Sequence, residues 1–455
     1  MLSETFLLEK MAEITVSESD FKERGIAETD DSFKYAEEEV TATVQAILFK
    51  GGFCDSTTGE NSFVCLVLDR TPFYCERGGQ KSDQGEIRAR DGAVLSVLDV
   101  QSVGGYVLHY GTVDGCFVCG GEAACAVEKE RRAALRRGHT AAHVFDEFLF
   151  QEKVPRSDFS VVVFPDQIRI EVVKRAWTRD EIESAEKHME EHIKRNLRLE
   201  TEIVPLEEVL QRKDILSVFE EKYPKSVRVV TILGVSSQAC GGTHTETTGE
   251  LVDAVICGEK SLSGGKRKVT VAVGKKAVSA RRKEREIEKY LQEEQNEDVL
   301  SKLEKYLKDE GGIPVGSRRA VEECLAGAKK RRAREEKERE RAGIKDLEQK
   351  CLEIISSDEA VFVFSPPLSR KETAICLSRC NEKNKKVFLI QKSEAGAEYS
   401  ISLGESSQGV GEKIKEKYGG RYWGKGCVSG MLSGECRPEE VARFVKDVLK
   451  QAGSL

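Results

Sequence analysis

Two short stretches of this 455-residue chain carry side chains that could hold a metal ion. The first is His139-Thr-Ala-Ala-His143, in a segment of helical spacing. Residues four apart on a helix share a face, so two imidazoles there can converge on one ion. The second is Cys240-Gly-Gly-Thr-His244, whose paired glycines let the backbone turn tightly and bring a thiolate and an imidazole together. This mixture of nitrogen and sulfur favours Zn²⁺ over Mg²⁺ or Ca²⁺. A His-x-x-x-His spacing alone is weak evidence, and the chain contains its own control. His188-Met-Glu-Glu-His192 lies on a charged helix without a Cys/His companion and reads as a solvated face. Cys116-Phe-Val-Cys119 has no second cysteine pair at zinc-ribbon distance and reads as strand and turn cysteines, while His109 reads as a strand residue.

The elements that must position these residues follow from hydrophobic periodicity. From Val40 to Gly121, short apolar or alternating runs such as TATVQAILF and SFVCLVLD are separated by Gly, Asp and Asn turns, which predicts strands. Between Glu128 and Gln151 the period becomes helical, interrupted only by Gly138. SVVVFPDQIRIEVV predicts paired strands, and WTRDEIESAEKHMEEHIKRN a second long helix, with Thr178 as N-cap and Glu181 completing a capping box. VRVVTIL, ELVDAVICG and KVTVAVG restore strands. Beyond Lys275 two charged helical stretches, 275–309 and 318–355, are divided by GGIPVG, predicting a helical hairpin or coiled-coil arm. AVFVFSPP and KKVFLIQ predict buried strands, and PEEVARFVKDVLKQ a closing helix with Pro438 in its first turn.

Composition narrows the class. Hydrophobic residues make up 39% and charged residues 33% of the chain, as in a charge-rich globular protein. No apolar run reaches the ~18–20 residues that span a bilayer, so no membrane partner is expected. The acidic N-terminal stretch MLSETFLLEKMAEI lacks the basic region of a secretory signal and reads as a short amphipathic helix. A cytoplasmic setting with mostly reduced thiols among the 14 cysteines is the expectation. The net charge of −7 argues against a generic nucleic-acid coat, yet basic clusters at Lys129–Arg137, Lys266–Lys268, Lys275–Arg285 and Lys329–Arg341 offer patches for a structured RNA.

Order and context sharpen the reading. VEKERRAALRRGHTAAHVF resembles the editing-domain signature of alanyl-tRNA synthetases, Val-Asp-x-x-Arg-Arg, six residues, then His-Thr-Ala-Thr-His. Upstream, the run from Phe73 to Gly85, FYCERGGQKSDQG, is similar to that family's Phe-Tyr-Ala-Glu-x-Gly-Gly-Gln-x-x-Asp-x-Gly. PDQIRIEV and EEKYPKSVRVVTI match the segments that lead into the family's Cys-Gly-Gly-Thr-His, and SGGKRKVTVAVG the strand after it. LLEKMAEITVSESDFKER looks like the linker between the aminoacylation and editing halves. GGRYWGKGCVSGML looks like a worn version of the C-terminal domain that helps grip tRNA. Glu128, Gly138 and Ala142 depart from the pattern at Asp, Asn and Thr, and none removes a metal ligand.

The resemblance implies an α+β fold. Residues 1–39 form a linker-like helical segment, 40–127 a β-barrel-like subdomain, 128–274 a zinc-binding editing domain, 275–356 a charged helical arm, and 357–455 a small α/β C-terminal domain for tRNA binding or self-association. It implies hydrolysis of the ester in serine-charged, or glycine-charged, tRNA(Ala). One small group is worth only ~1–3 kcal/mol of discrimination, which favours a second, hydrolytic sieve. His139, His143, Cys240 and His244 are implied to hold zinc. Gln80, Thr140 and Cys240 are the expected catalytic residues, with Thr243 as the alternative to Thr140 for the serine hydroxyl. Gly78, Gly79, Asp83, Arg131, Arg132 and Arg267 are expected to contact substrate or tRNA. No Phe-Arg-x-Glu segment or other class II aminoacylation signature is present, so no aminoacylation by this chain alone is expected. Expected partners are tRNA(Ala), a separate aminoacylation chain if the protein is half of a split ligase, and a second copy of itself. A zinc-stabilised tRNA-binding module without deacylase activity is the rival reading.

Overall fold

The structure is a computed structural model that describes residues 4–36, 38–57, 62–216, 224–309, 312–364, 369–393, 396–402, 407–424, 428–433 and 437–451. It is α+β, and the chain divides into two compact units, Met1–Leu325 and Ala326–Leu455. The first unit begins with α1 (Glu4–Ala12) and α2 (Glu18–Glu23). Seven strands follow: β1 (Val40–Phe49), β2 (Gly52–Cys54), β3 (Ser62–Leu68), β4 (Gly85–Ala89), β5 (Val94–Val103), β6 (Tyr106–Asp114) and β7 (Glu122–Val127). They pair antiparallel in the order β2-β1-β3-β6-β5-β4-β7, and β1 also pairs with β7 from Val40↔Cys125 to Thr43↔Glu122. Six strands thus close into a barrel, which removes the open edges of a flat sheet.

Alternation fills the barrel with Val44, Ile47, Leu66, Leu95 and Val100. The opposite face of β1 and β3 carries Ala46, Leu48, Cys65 and Val67, covered by Ile14 and Phe21 from the N-terminal segment. Phe21 stacks on Tyr106 with ring centroids 4.4 Å apart. The stretch that resembles a linker is therefore packed onto the barrel wall.

The ligand-bearing part of the first unit comprises α3 (Lys129–Gln151), β8 (Phe159–Phe164), β9 (Gln167–Val173), α4 (Arg179–Arg195), β10 (Leu199–Pro205), α5 (Leu206–Gln211), β11 (Ser226–Ile232), β12 (Ser236–Ala239), β13 (Ala254–Ser261) and β14 (Lys266–Val273). One antiparallel sheet runs β13-β14-β9-β8 and a smaller one β10-β11-β12. Val144, Phe145 and Leu149 of α3 pack with Ile182 and Met189 of α4 and with Ile168 and Ile170 of β9. Helix α3 passes without a break through Gly138, where the sequence suggested an interruption. A Cβ at that position would lie 2.9 Å from the Phe164 carbonyl oxygen and from Val163 Cγ1. Glycine thus lets the helix lie close against the end of β8.

Three helices follow, α6 (Gly274–Gln292), α7 (Glu297–Leu307) and α8 (Val315–Ser356). The sequence suggested one helix over 275–309, but Asn296 starts a new one by accepting the Val299 N–H at 3.0 Å. The second unit contains β15 (Val361–Phe364), α9 (Arg370–Glu382), β16 (Val387–Ser393), β17 (Gly396–Ser402), α10 (Ser407–Tyr418), β18 (Arg421–Trp423), β19 (Val428–Ser433) and α11 (Pro438–Gln451). Its sheet runs β15-β16-β17-β19-β18, parallel only between β15 and β16. Phe388, Ile401, Ile414, Val441 and Val445 form its core. Residues 220–223 of EEKYPKSVRVVTI, 365–367 of AVFVFSPP and 425–427 of the glycine-rich string lie outside the described residues. Among those described, no helix is long and apolar enough to cross a membrane.

Helix α4 opens with the capping box read from the sequence: the Glu181 N–H donates to Thr178 Oγ1 at 3.2 Å, and the Thr178 N–H to Glu181 Oε2 at 2.7 Å. Thr178→Ala is expected to cost about 1 kcal/mol, read as a lower midpoint in thermal unfolding.

Candidate metal centre

His139 and His143 stand one turn apart on α3, both buried, facing the loop that follows β12. That loop supplies Cys240 and His244, and one ligand atom from each of the four residues lies within 4.8 Å of the others. Cys240 Sγ is 3.3 Å from His139 Nε2 and 3.4 Å from His244 Nε2. The outward nitrogens of these two rings are occupied. His139 Nδ1 meets Gln80 Oε1 at 2.7 Å, and His244 Nδ1 meets Thr140 Oγ1 at 3.2 Å. An amide oxygen can only accept, so His139 carries its proton on Nδ1 and presents an Nε2 lone pair to the cluster.

Gln80 reaches the site from a loop between β3 and β4. Gly78 and Gly79 have φ of 60° and 84°, and a Cβ at Gly79 would lie 2.3 Å from the Val161 carbonyl oxygen. The loop thereby docks on β8: Val163 N–H donates to Gly79 O at 2.8 Å, and Lys81 N–H to Val163 O at 3.0 Å. Gln80 is fully buried and bonds in two further directions, to the Thr243 N–H at 3.0 Å and the Thr243 hydroxyl at 2.9 Å. Gly242 is required for a different reason, since a Cβ there would fall 2.0 Å from Cε1 of His139.

Residues not singled out in the sequence complete the frame. Arg228 donates to the carbonyls of Cys240 and Gly242 at 2.9 and 3.0 Å, and its guanidinium stacks over the Tyr35 ring at 4.4 Å. Tyr35 itself donates to the Gly241 carbonyl at 2.9 Å. An isolated arginine on a strand carries no motif signal, and only the pairing of β11 with β12 puts it beneath this loop.

The electrostatics suit a cation. Burial, with Arg228 adding to it, lowers His139 to about 4. Burial and the neighbouring imidazoles hold His143 and His244 well below the ordinary histidine range. Burial pushes the Cys240 thiol up to about 11. The bare cluster is thus three neutral imidazoles and a thiol, with His143 Nδ1 buried and without a hydrogen-bond partner among the described residues. A divalent ion would compensate a thiolate there and take up the lone pairs that these side chains turn toward one another. The four residues therefore fit a borderline transition metal.

The remaining expected site residues divide. Asp83 and Arg132 form a buried ion pair, with Arg132 Nε 2.9 Å from Asp83 Oδ1. Asp83 also accepts the Tyr74 N–H at 2.7 Å, and Arg132 donates to the carbonyls of Pro72 and Lys34. Both side chains are turned inward and brace the loop that carries Gln80. Arg131 donates twice to the Ser82 carbonyl, at 3.0 and 2.9 Å. Arg267 pairs with Glu259 at 2.7 Å and lines an open basic cleft with Lys174, Arg175 and Lys266. His188 and His192 are not the solvated face that the sequence suggested. His192 is buried, and His188 packs its ring 5.5 Å from that of Phe148, because α4 turns this face onto α3.

Asp146, also on α3, is buried. Its Oδ1 has no hydrogen-bond partner among the described residues, and burial pushes its carboxyl up to about 7. It lines a cavity of about 550 Å³ with Phe150, Arg156, Phe159 and Gln238, and Gln238 donates to the His143 carbonyl at 3.2 Å.

Comparison with known families places these residues in context. The family model described as class II (A) tRNA synthetases matches residues 8–131, which include Gln80. The model for the threonyl and alanyl tRNA synthetase second additional domain matches 227–269, which include Cys240 and His244. An alanine–tRNA ligase of Candida albicans is 27% identical, over 93% of this chain and 48% of that protein. One from Dehalococcoides mccartyi is 35% identical over 52% of this chain and 27% of its own length. The cytoplasmic alanine–tRNA ligase of Drosophila melanogaster is 30% identical over 58% and 31%. The chain thus spans about half, or less, of the length of these relatives.

Two outcomes are expected. Removing one partner of the Asp83–Arg132 pair, as in Asp83→Leu, should cost about 3–5 kcal/mol in chemical denaturation. The double variant with Arg132→Met should cost less than the sum of the single changes. For Asp146, a native pKa raised to about 7 means that the folded state holds more protons than the unfolded chain between about pH 4 and pH 7. Its contribution to stability is therefore present at acid pH and lost as pH rises through 7. Asp146→Asn should raise the thermal midpoint at pH 8 by several degrees relative to the parent and change it little at or below pH 4.

Proposed function

We propose that this chain, a member of the alanine–tRNA ligase family across its editing and C-terminal regions, hydrolyses the ester linking a wrong small amino acid to the 3′ end of tRNA(Ala). Serine is the principal cargo of this reading and glycine the second. The observation that carries it is the convergence of His139, His143, Cys240 and His244, with Gln80 locked onto both the helix and the loop that supply them.

Zinc is the ion we assign to this set, and when bound it supplies a Lewis acid for an ester carbonyl or for water. The chain's own groups do the rest. Gln80 fixes the His139 tautomer, and Thr140 Oγ1, which meets His244 Nδ1, also accepts the Thr245 N–H at 3.1 Å. These anchors keep both rings turned toward the thiol with no reorganisation on substrate arrival. In this reading the serine hydroxyl bonds to Thr140, held by Thr245, or to Thr243, held by Gln80. An alanine side chain would leave those partners without that bond. The basic cleft at Lys174, Arg175, Lys266 and Arg267 is where we place phosphate contacts to the tRNA. Aminoacylation is not part of this proposal.

The test is ester loss from serine-charged and alanine-charged tRNA(Ala), with and without a zinc chelator. Rapid, chelator-sensitive loss of serine, with alanine retained, is expected. Gln80→Ala should lower the rate or the metal affinity about 10–100-fold while the fold survives. A folded Cys240→Ala variant that deacylates at the parental rate would sink the zinc-centred account. Retention of both esters by folded, zinc-loaded chain would leave a tRNA-binding module or a half-enzyme that needs a partner.

A further inference from the structure

The stripe of α3 that carries His139 and His143 does not end there. Glu147 continues it at the same spacing, about 6 Å further along the axis for a 1.5 Å rise per residue. It faces His188 and His192, themselves one turn apart on α4, and one ligand atom from each of these three residues lies within 4.8 Å of the others. Glu147 and His192 are each only 7% exposed.

The hydrogen bonding in this second cluster decides what it can hold. His192 Nδ1 lies 2.8 Å from the His188 carbonyl oxygen, an acceptor only, so Nδ1 carries the proton and Nε2 is a bare lone pair. A backbone carbonyl fixing one imidazole nitrogen and freeing the other is the outer-shell arrangement that orients metal-binding histidines. His188 Nε2 and Glu147 Oε2 approach to 2.6 Å, and among the described residues neither buried atom has another partner. Two electron-rich atoms that close require a positive charge between them. A proton can satisfy that pair, and the His192 Nε2 lone pair beside them remains available to a shared ion. Gln151 holds the other oxygen of Glu147 from one turn along α3, which fixes the carboxylate's orientation.

We infer that Glu147, His188 and His192 form a second divalent-metal site, distinct from the cluster at Cys240. Two imidazoles and a carboxylate suit Zn²⁺, Co²⁺ or Ni²⁺ and leave a fourth position for water. With bonds of about 2.0–2.2 Å to the ion, tetrahedral ligands stand about 3.4 Å apart. Binding therefore needs His188 and Glu147 to separate by less than 1 Å, and any proton between them passes to solvent. The site joins α3 to α4, and its stripe on α3 is the one that carries the first cluster.

Metal content of the full chain, stripped and then reloaded with zinc or cobalt before buffer exchange, tests this. Two ions per chain are expected, falling to one in His192→Gln and in Glu147→Gln. With cobalt, those two variants should keep the thiolate-to-metal charge-transfer absorption of the Cys240 cluster. Cys240→Ser should lose that band and keep one ion. A single ion in the parent chain that disappears with Cys240→Ser would overturn the inference, as would unchanged content in both the His192 and the Glu147 variants. Far-UV circular dichroism reports whether each variant folds, and if the variants do not fold the parental count decides alone. One ion that survives Cys240→Ser but not Glu147→Gln would uphold this site and remove the zinc basis of the proposed deacylase.

Discussion

One side-chain amide holds the candidate site together. Gln80 comes from the barrel, His139 from α3 and Thr243 from the loop after β12, and the three meet through bonds of 2.7 to 3.0 Å in a buried space. An unmet polar group in such a place costs about 1–3 kcal/mol, so each partner constrains the other two. The amide can serve all three because it offers acceptor and donor ends together. Isosteric Glu would lose the donor that meets the Thr243 hydroxyl, and Leu would leave His139 free to adopt the other tautomer. The glycines at 78 and 79, the Asp83–Arg132 brace and the docking of the loop on β8 all secure the position of this one group.

The parts of this arrangement legible in the sequence are those set by short-range rules. Helical spacing placed His139 and His143 on one face, two adjacent glycines marked the turn at Cys240, and alternation marked strands such as β1 and β3. The Thr178 cap was readable because both of its halves lie within four residues. What escaped depends on contacts distant in sequence. Arg228 and Tyr35 join the site only through the β11–β12 pairing and the packing of the N-terminal segment. His188 and His192 looked solvated because acids and lysines surround them, and a one-dimensional pattern does not show which face α4 presents to α3. Asp83 and Arg132 lie in motif positions, and nothing in one dimension distinguishes a residue that touches substrate from one that braces the loop which does.

The two candidate clusters share a helix but differ in chemistry. The first is sulfur-containing and fed by a glycine-rich loop, and His139 and His244 are each held from outside it, by an amide and by a hydroxyl. The second is oxygen-containing and rests on two helices alone. Loops adjust to a ligand more readily than helices do, so the first set can tune its geometry while the second is limited to the spacing of α3 and α4.

The span between ligands has a further consequence, in the unfolded chain. Cys240 and His139 are 101 residues apart in sequence, yet their ligand atoms lie 3.3 Å apart in the fold. An ion gripping both acts as a reversible cross-link around a loop of that length. In chain-entropy terms, closing a loop of about 100 residues is worth roughly 4–5 kcal/mol against the denatured ensemble, if the bond persists there. If it breaks on unfolding, the same ion stabilises by mass action in proportion to its free concentration. In either case the folded fraction of the module would rise and fall with the supply of any ion that binds there.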